Sequence, residues 1–167
     1  MTLATQLAEP SRAADPNRLA EQGDIANRLF FKLYQASNLM HKSGTSAVSS
    51  FGTTTQQWAV LGALSRPQAT SRGLSVKELM EYLMVSRQSL TAILDRLASA
   101  GLIGRSRTEG DGRLRHVRLT EKGVATWAEM RPSIRGFYDA ALADFSIEES
   151  YLLMRLLDRL SAGLAKL

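Results

Sequence analysis

Residues 111–120, DGRLRHVRLT, carry three arginines and a histidine on a segment with strand character, directly after the turn TEGDG. Extended by LIGRSR on the other side of the turn, the stretch places Arg105, Arg107, Arg113, Arg115 and Arg118 against Glu109 and Asp111. Guanidinium groups on an exposed ribbon have one common partner, phosphate, and an arginine at a ribbon tip also suits the negative potential of a narrow minor groove. Just upstream, Ser86, Arg87, Gln88, Ser89 and Thr91 open a helix. Gln pairs with adenine and Arg with guanine through two hydrogen bonds each, and hydroxyls serve either base. The chemistry within reach is therefore recognition of a duplex rather than bond making.

Other chemistry finds little support. The chain has no cysteine, which excludes disulfides, thiolate metal sites and thiol nucleophiles. Its two histidines, His41 and His116, stand far apart, and no HExxH or paired His/carboxylate spacing exists, so neither a metal nor a cofactor is expected. No nucleophile–base pair or glycine-rich phosphate loop appears, and the chain is not expected to be an enzyme. A net charge of +5 over 167 residues favours a polyanionic partner only weakly, so the placement of the charge matters more than its sum. No apolar run reaches a membrane span and no secretory leader is evident, which gives a cytoplasmic expectation.

The elements that must hold these side chains follow from periodicity and caps. Residues 1–20, with Pro10 and Pro16 and no sustained period, form an arm. Residues 23–42 have helical spacing at Ile25, Leu29, Leu33 and Ala36, and 43–52, SGTSAVSSFG, are expected to be a loop. Thr54 with Gln57 is a capping box for a helix bearing Trp58, Leu61 and Leu64, which SRPQATSRG ends. Ser75 with Glu78 caps the next helix, and Ser86 opens another that closes at Gly101. Only Met84-Val85 separates that pair, so the two helices cross as a helix-turn-helix, with Leu79 and Leu83 packing on Leu90, Ile93, Leu94 and Leu97. A hairpin follows, anchored inward by Leu114 or His116, Val117 and Leu119. Residues 120–145 are helical with a kink or break expected at Pro132, and Ser146 with Glu149 caps a last helix.

A hairpin straight after a helix-turn-helix is a winged helix. The fold class is thus mainly α with a small β-hairpin wing: a winged helix-turn-helix lobe plus N- and C-terminal dimerisation helices. The expected divisions are an arm at 1–20, N-terminal helices at 21–65, the winged helix-turn-helix at 66–120 and C-terminal helices at 121–167. Ile25, Leu29 and Leu33, and Leu152, Leu153, Leu156, Leu157 and Leu160, are too apolar for exposed terminal helices, and shared burial in a homodimer accounts for them. Such a dimer would hold its recognition helices about 34 Å apart and prefer a pseudo-palindromic operator in double-stranded DNA.

The stretch VSRQSLTAILDRLASAGLIGRSR, then DGRLRHVRLTEKG, resembles the multiple antibiotic resistance regulators, the MarR family. The second segment matches the family wing pattern D-x-R-x-x-x-V-x-L-T at Asp111, Arg113, Val117, Leu119 and Thr120, and Thr120–Gly123 resembles the family's start to the next helix. The resemblance spans roughly residues 23–165. It implies a homodimer with interlocked terminal helices, acting as a repressor of neighbouring genes that a small aromatic ligand releases, an aromatic acid or its coenzyme A thioester. It also implies that Arg113 is the wing-tip arginine entering the minor groove, and that Asp111 steadies the wing by pairing with an arginine such as Arg96. Arg105, Arg107, Arg115 and Arg118 are either phosphate contacts or solvated charge.

In this family the effector lies between the dimerisation helices and the DNA-binding lobe. Tyr34, Asn38 and His41 share one helix face, and with Trp58 they form either an apolar cleft with a few polar groups or ordinary core, with His41 as a helix cap. Arg66 and Arg72 are basic groups that a carboxylate or phosphate would meet there. The competing reading is a winged-helix architectural or protein-interaction module without an effector, since one fold serves many tasks.

Overall fold

In a computed structural model, residues 16–108 and 111–167 are described in their backbone, and residues 21–105 and 116–167 also in their side chains. The chain divides into two compact units, residues 1–39 and 40–167. The element order is α1 (Pro16–Val48), a 3-10 turn (Ser49–Phe51), α2 (Thr55–Leu64), α3 (Pro67–Arg72), β1 (Leu74–Ser75), α4 (Val76–Leu83), α5 (Arg87–Ser99), β2 (Ile103–Thr108), β3 (Asp111–Leu119), α6 (Glu121–Ala141) and α7 (Ile147–Leu164). This is a mainly helical winged helix, as its sequence predicts.

Local capping explains most helix starts. Thr54, Ser75 and Ser146 each accept a backbone N–H at the third helical position, and Gln57, Glu78 and Glu149 return the bond to the cap's own N–H. Each box satisfies two donors that a helix start otherwise leaves without partners. The first unit consists of the described part of α1 up to Leu39, in which Ile25 and Leu29 are exposed and Leu33 is half-buried.

In the second unit the core joins α2, α4, α5, the sheet and one side of α6. Leu61, Leu64, Leu79, Leu90, Leu94, Leu97, Val117 and Met130 are all fully buried. Truncating any of the leucines to alanine should cost about 2–5 kcal/mol, so these side chains hold the helix pair together at its crossing. Their linker is unusual: Met84 closes α4 in the left-handed region, at φ 53°, with no glycine to ease it.

Several elements depart from expectation. The region expected as a loop, 43–52, is helical as far as Val48, because Val48 is buried and Gly44 lies tight against Thr55 and Trp58. The Thr55 hydroxyl donates to the His41 carbonyl at 2.9 Å and fixes this last stretch of α1 to the start of α2. Of the expected arm, residues 16–20 belong to α1. The remainder, 1–15, lies outside the described residues.

The breaker SRPQATSRG contains α3, started by a proline, Pro67, whose missing N–H costs a helix start nothing. The hairpin is a three-stranded antiparallel sheet in the order β1-β3-β2, with Leu74 opposite Val117 and Ile103 opposite Leu119. Helix α6 shows no break at Pro132, although the ring denies the Ala128 carbonyl its helical donor.

Candidate nucleic-acid interface

Helix α5 has two unlike faces. Leu90, Ile93, Leu94 and Leu97 are buried, while Arg87, Gln88, Ser89 and Thr91 are exposed on the first turns. Ser86 is the cap. Its Oγ accepts the Ser89 N–H at 3.2 Å, and its hydroxyl lies 2.9 Å from the Ser89 hydroxyl. The Thr91 hydroxyl donates to the Arg87 carbonyl at 2.8 Å. Ser86, Ser89 and Thr91 thus order the helix start, and Arg87 and Gln88 project from it with long, flexible donors. The arrangement presents guanidinium, amide and hydroxyl groups together on one solvent-facing helix end.

The far end of α5 is fixed by five hydrogen bonds to carbonyls between Leu97 and Leu102. Gly101, at φ 71°, turns the chain, with the Leu102 N–H bonded to the Leu97 carbonyl and the Gly101 N–H to the Ala98 carbonyl, both at 2.9 Å. These are the paired bonds of a Schellman closure. The carbonyls of Ala100, Gly101 and Leu102 are taken by the segment that starts α6. Lys122 Nζ donates to Ala100 at 2.8 Å, the Thr120 hydroxyl to Gly101 at 2.7 Å, and the Thr120 N–H to Leu102 at 3.1 Å. Thr120 also caps α6 by accepting the Gly123 N–H at 3.0 Å. Gly123 allows the approach, since a Cβ there would stand 2.0 Å from the Leu102 oxygen. Residues 120–123 are thus a joint between the recognition helix and α6.

The wing root is tied to α5 by Arg105, whose guanidinium meets the Asp95 carboxylate at 2.7 Å on the surface. Val117 is buried, His116 and Leu119 are half-buried, and Arg118 is exposed, so the inner half of β3 anchors the wing as expected. The side chains of Arg107 on β2 and of Asp111, Arg113, Leu114 and Arg115 on β3 lie outside the described residues, although the backbone of both strands is formed there. Arg96 is exposed on α5. Its expected pairing with Asp111 therefore also lies outside the described residues.

Arg66 and Arg72, weighed in the sequence as effector contacts, are engaged within the lobe. Arg66 stacks over the Tyr82 ring at 4.5 Å. Arg72 pairs with Glu78, which also accepts the Ser75 N–H at 2.8 Å. The Arg72 hydrogen bond, then the Ser75 amide, hold the Glu78 carboxyl down at about 2.

Among the four residues proposed for an effector, Tyr34 and Asn38 belong to the first unit and His41 and Trp58 to the second. Tyr34, Asn38 and His41 are exposed. His41 sits within α1 rather than capping its end. Trp58 is buried, edge-on to Phe137 and tilted against Tyr138, each at 5.7 Å between centroids. Burial raises the pKa of the Tyr138 hydroxyl. A cleft of about 520 Å³ borders α6 at Trp127, Arg131, Pro132, Arg135 and Tyr138, and includes none of the four. Sequence spacing alone gave no sign of it, because it is lined along one helix by residues of mixed character. Among the described residues no cluster of His, Asp or Glu is arranged to hold a metal ion, and no helix is long and apolar enough to cross a membrane.

Comparison with known proteins follows the same lines. The MarR family profile matches residues 51–114, from the end of the 3-10 turn before α2 into β3 of the wing. The chain is 45% identical over 154 residues to the transcriptional activatory protein BadR of Rhodopseudomonas palustris, covering 89% of this chain and 87% of that one. It superposes on a probable transcriptional regulator from Pseudomonas aeruginosa with TM-score 0.71 and 27% identity, covering 81% of this chain and 98% of the other. A MarR variant from E. coli, complexed with operator DNA, has the same fold at TM-score 0.71 and 23% identity, over 80% and 93% of the two chains. With its winged helix-turn-helix, its wing pattern and its relatedness to BadR over nearly the whole chain, the protein belongs to the MarR family and is a transcriptional regulator, not an enzyme.

Proposed function

We propose that the protein is a homodimer that binds a pseudo-palindromic operator and represses nearby genes until a small aromatic ligand releases it. The observation that carries the reading is the two-faced helix α5. Four polar side chains stand exposed at its N-terminal end, and its opposite face is locked into the core. In helix-turn-helix proteins the N-terminal residues of the second helix meet base edges in the major groove. Arg87 and Gln88 are the base readers in this scheme, Ser86, Ser89 and Thr91 order or assist them, and Arg113 with Arg115 on the wing meets the neighbouring minor groove and phosphates.

Dimerisation is supported by α7, which has no buried residue. Leu152, Leu153, Leu156 and Leu157 are each 40–48% exposed, and Ile147 and Tyr151 more so. An amphipathic helix with that much uncovered apolar surface calls for a second copy of the chain. The aromatic ligand, an aromatic acid or its coenzyme A thioester, rests on the family resemblance alone. To lower DNA affinity it must bind the DNA-incompetent arrangement of the dimer more tightly than the competent one.

A second reading concerns the sign of regulation. BadR is named an activator, and the same operator-bound dimer would activate where its site lies so as to assist rather than obstruct transcription. Selection of bound duplexes from a random library, at physiological salt, tests the DNA reading. Enrichment of a pseudo-palindrome of roughly 16–20 bp supports it, whereas general binding with steep salt dependence and no enriched sequence refutes it. Thermal shift against aromatic acids and their thioesters tests the ligand. A ligand at 100 times its Kd stabilises by about 2.7 kcal/mol, and the absence of any concentration-dependent shift would leave an effector-free module.

A further inference from the structure

The joint at residues 120–123 offers more than a helix start. Three successive carbonyls at the end of the recognition helix, those of Ala100, Gly101 and Leu102, are all bonded by Lys122 and Thr120. The Ala100 bond is the outlying one: a long, exposed lysine reaches back across the joint to a carbonyl just past the last turn of α5. A cation is favoured there because the helix end carries partial negative charge. Nothing in the core requires that bond. The Schellman closure already ends α5, Thr120 already starts α6, and Gly123 already sits against Leu102.

We infer that Lys122 is a positioning residue, which latches α6 to the C-terminal end of the recognition helix and so fixes the pitch at which Arg87 and Gln88 are presented. The inference rests on the proposed DNA reading. Helix α5 can pivot only about its buried leucines, and Lys122 grips the end opposite the base-reading end. Release of the latch leaves the fold in place and loosens the orientation of the reading end. The same connection makes α6 the route by which a change elsewhere along that helix would reach the DNA-facing side chains.

A basic residue near a DNA-binding lobe has an obvious competing role, contact with phosphate, and the two roles separate in salt dependence. A phosphate contact contributes about 0.9 to the slope of log K against log salt, whereas a positioning residue contributes none. The test uses the full-length protein, a duplex recovered by selection from a random library, and an unrelated duplex of equal length. Lys122→Met should weaken binding to the selected duplex about fivefold, the net worth of a typical hydrogen bond. The salt slope and the affinity for the unrelated duplex should stay unchanged, and Lys122→Arg should restore wild-type affinity.

A slope reduced by about 0.9, with equal weakening on both duplexes, would make Lys122 a phosphate contact and overturn the latch. Unchanged affinity in Lys122→Met would overturn it as well, as would a fall in melting temperature large enough to account for the lost binding. If the wild-type protein selects no sequence at all, the DNA reading fails first, and that outcome is visible before any variant is made.

Discussion

Changing Gly123 to alanine adds one methyl group where the backbone leaves no room for it. The new Cβ would stand 2.0 Å from the Leu102 carbonyl oxygen and 3.0 Å from its carbon, where real Cβ contacts essentially never fall below 3.0 Å. The obstacle is backbone, so no side chain can swing aside. The gap must open from 2.0 Å to at least 3.0 Å, which displaces either the first turn of α6 or the corner between α5 and β2. Overpacking of this kind costs about 1–3 kcal/mol. The same movement strains the Thr120 N–H bond to Leu102, at 3.1 Å, worth about 0.5–1.5 kcal/mol. Alanine's better helix propensity returns about 0.5–1 kcal/mol. The net expectation is a loss of about 2 kcal/mol, or a melting temperature lower by roughly 4–8 °C for a chain of this size.

Gly136→Ala supplies the internal comparison. It lies in the same helix with nothing within 4 Å of an added Cβ, so only the propensity gain of about 0.5–1 kcal/mol applies, and the sign reverses. Urea unfolding followed by circular dichroism, at one fixed protomer concentration, measures both. A Gly123→Ala variant as stable as wild type would refute the close approach, and with it the need for glycine at this position.

Three further outcomes are expected. Met84→Gly should stabilise the protein by up to about 1 kcal/mol in the same urea assay, because it relieves a left-handed residue that is 82% exposed and packs on little. Glu78→Gln should be less stable than wild type at neutral pH by no more than about 1 kcal/mol, as befits a surface pair. Since the folded carboxyl titrates at about 2, below its ordinary 4.5, its contribution is complete above about 4.5 and fades as pH falls through about 2, so the two unfolding curves should converge in acid. Arg113→Ala should lower affinity for a selected duplex by at least about tenfold, with the dimer intact by sedimentation, and an unchanged affinity at fixed salt would remove the wing tip from the interface.

What was legible in the sequence was local. The capping boxes at Thr54, Ser75 and Ser146 and the Gly101 closure depend on residues within a turn of one another, and each is formed as read. The leucines of α5 keep helical spacing and are buried as read. What escaped depends on partners far along the chain. The last stretch of α1 looks like a polar loop, and is helical because Thr55 and Trp58 pack on His41 and Gly44. Strand β1 is two residues long and exists through pairing with Val117 and His116, some forty positions later. Met84 carried no signal of its left-handed turn, because glycine is the usual occupant of that conformation. TEKG was recognisable only as a family signature, and its physical basis lies at Ala100, Gly101 and Leu102. On the candidate site, exposure of the recognition-helix residues was legible, whereas the engagement of Arg66 by Tyr82 and of Arg72 by Glu78 was not.

The claim that two recognition helices of one dimer read adjacent major grooves is tested most directly by half-site spacing. In a selected pseudo-palindrome, five base pairs inserted between the half-sites rotate one through about half a helical turn. A two-fold dimer then engages a single half-site, and specific affinity should fall by at least about a hundredfold while salt-dependent general binding persists. Undiminished affinity for the spaced duplex would contradict the dimeric reading and leave each protomer binding on its own.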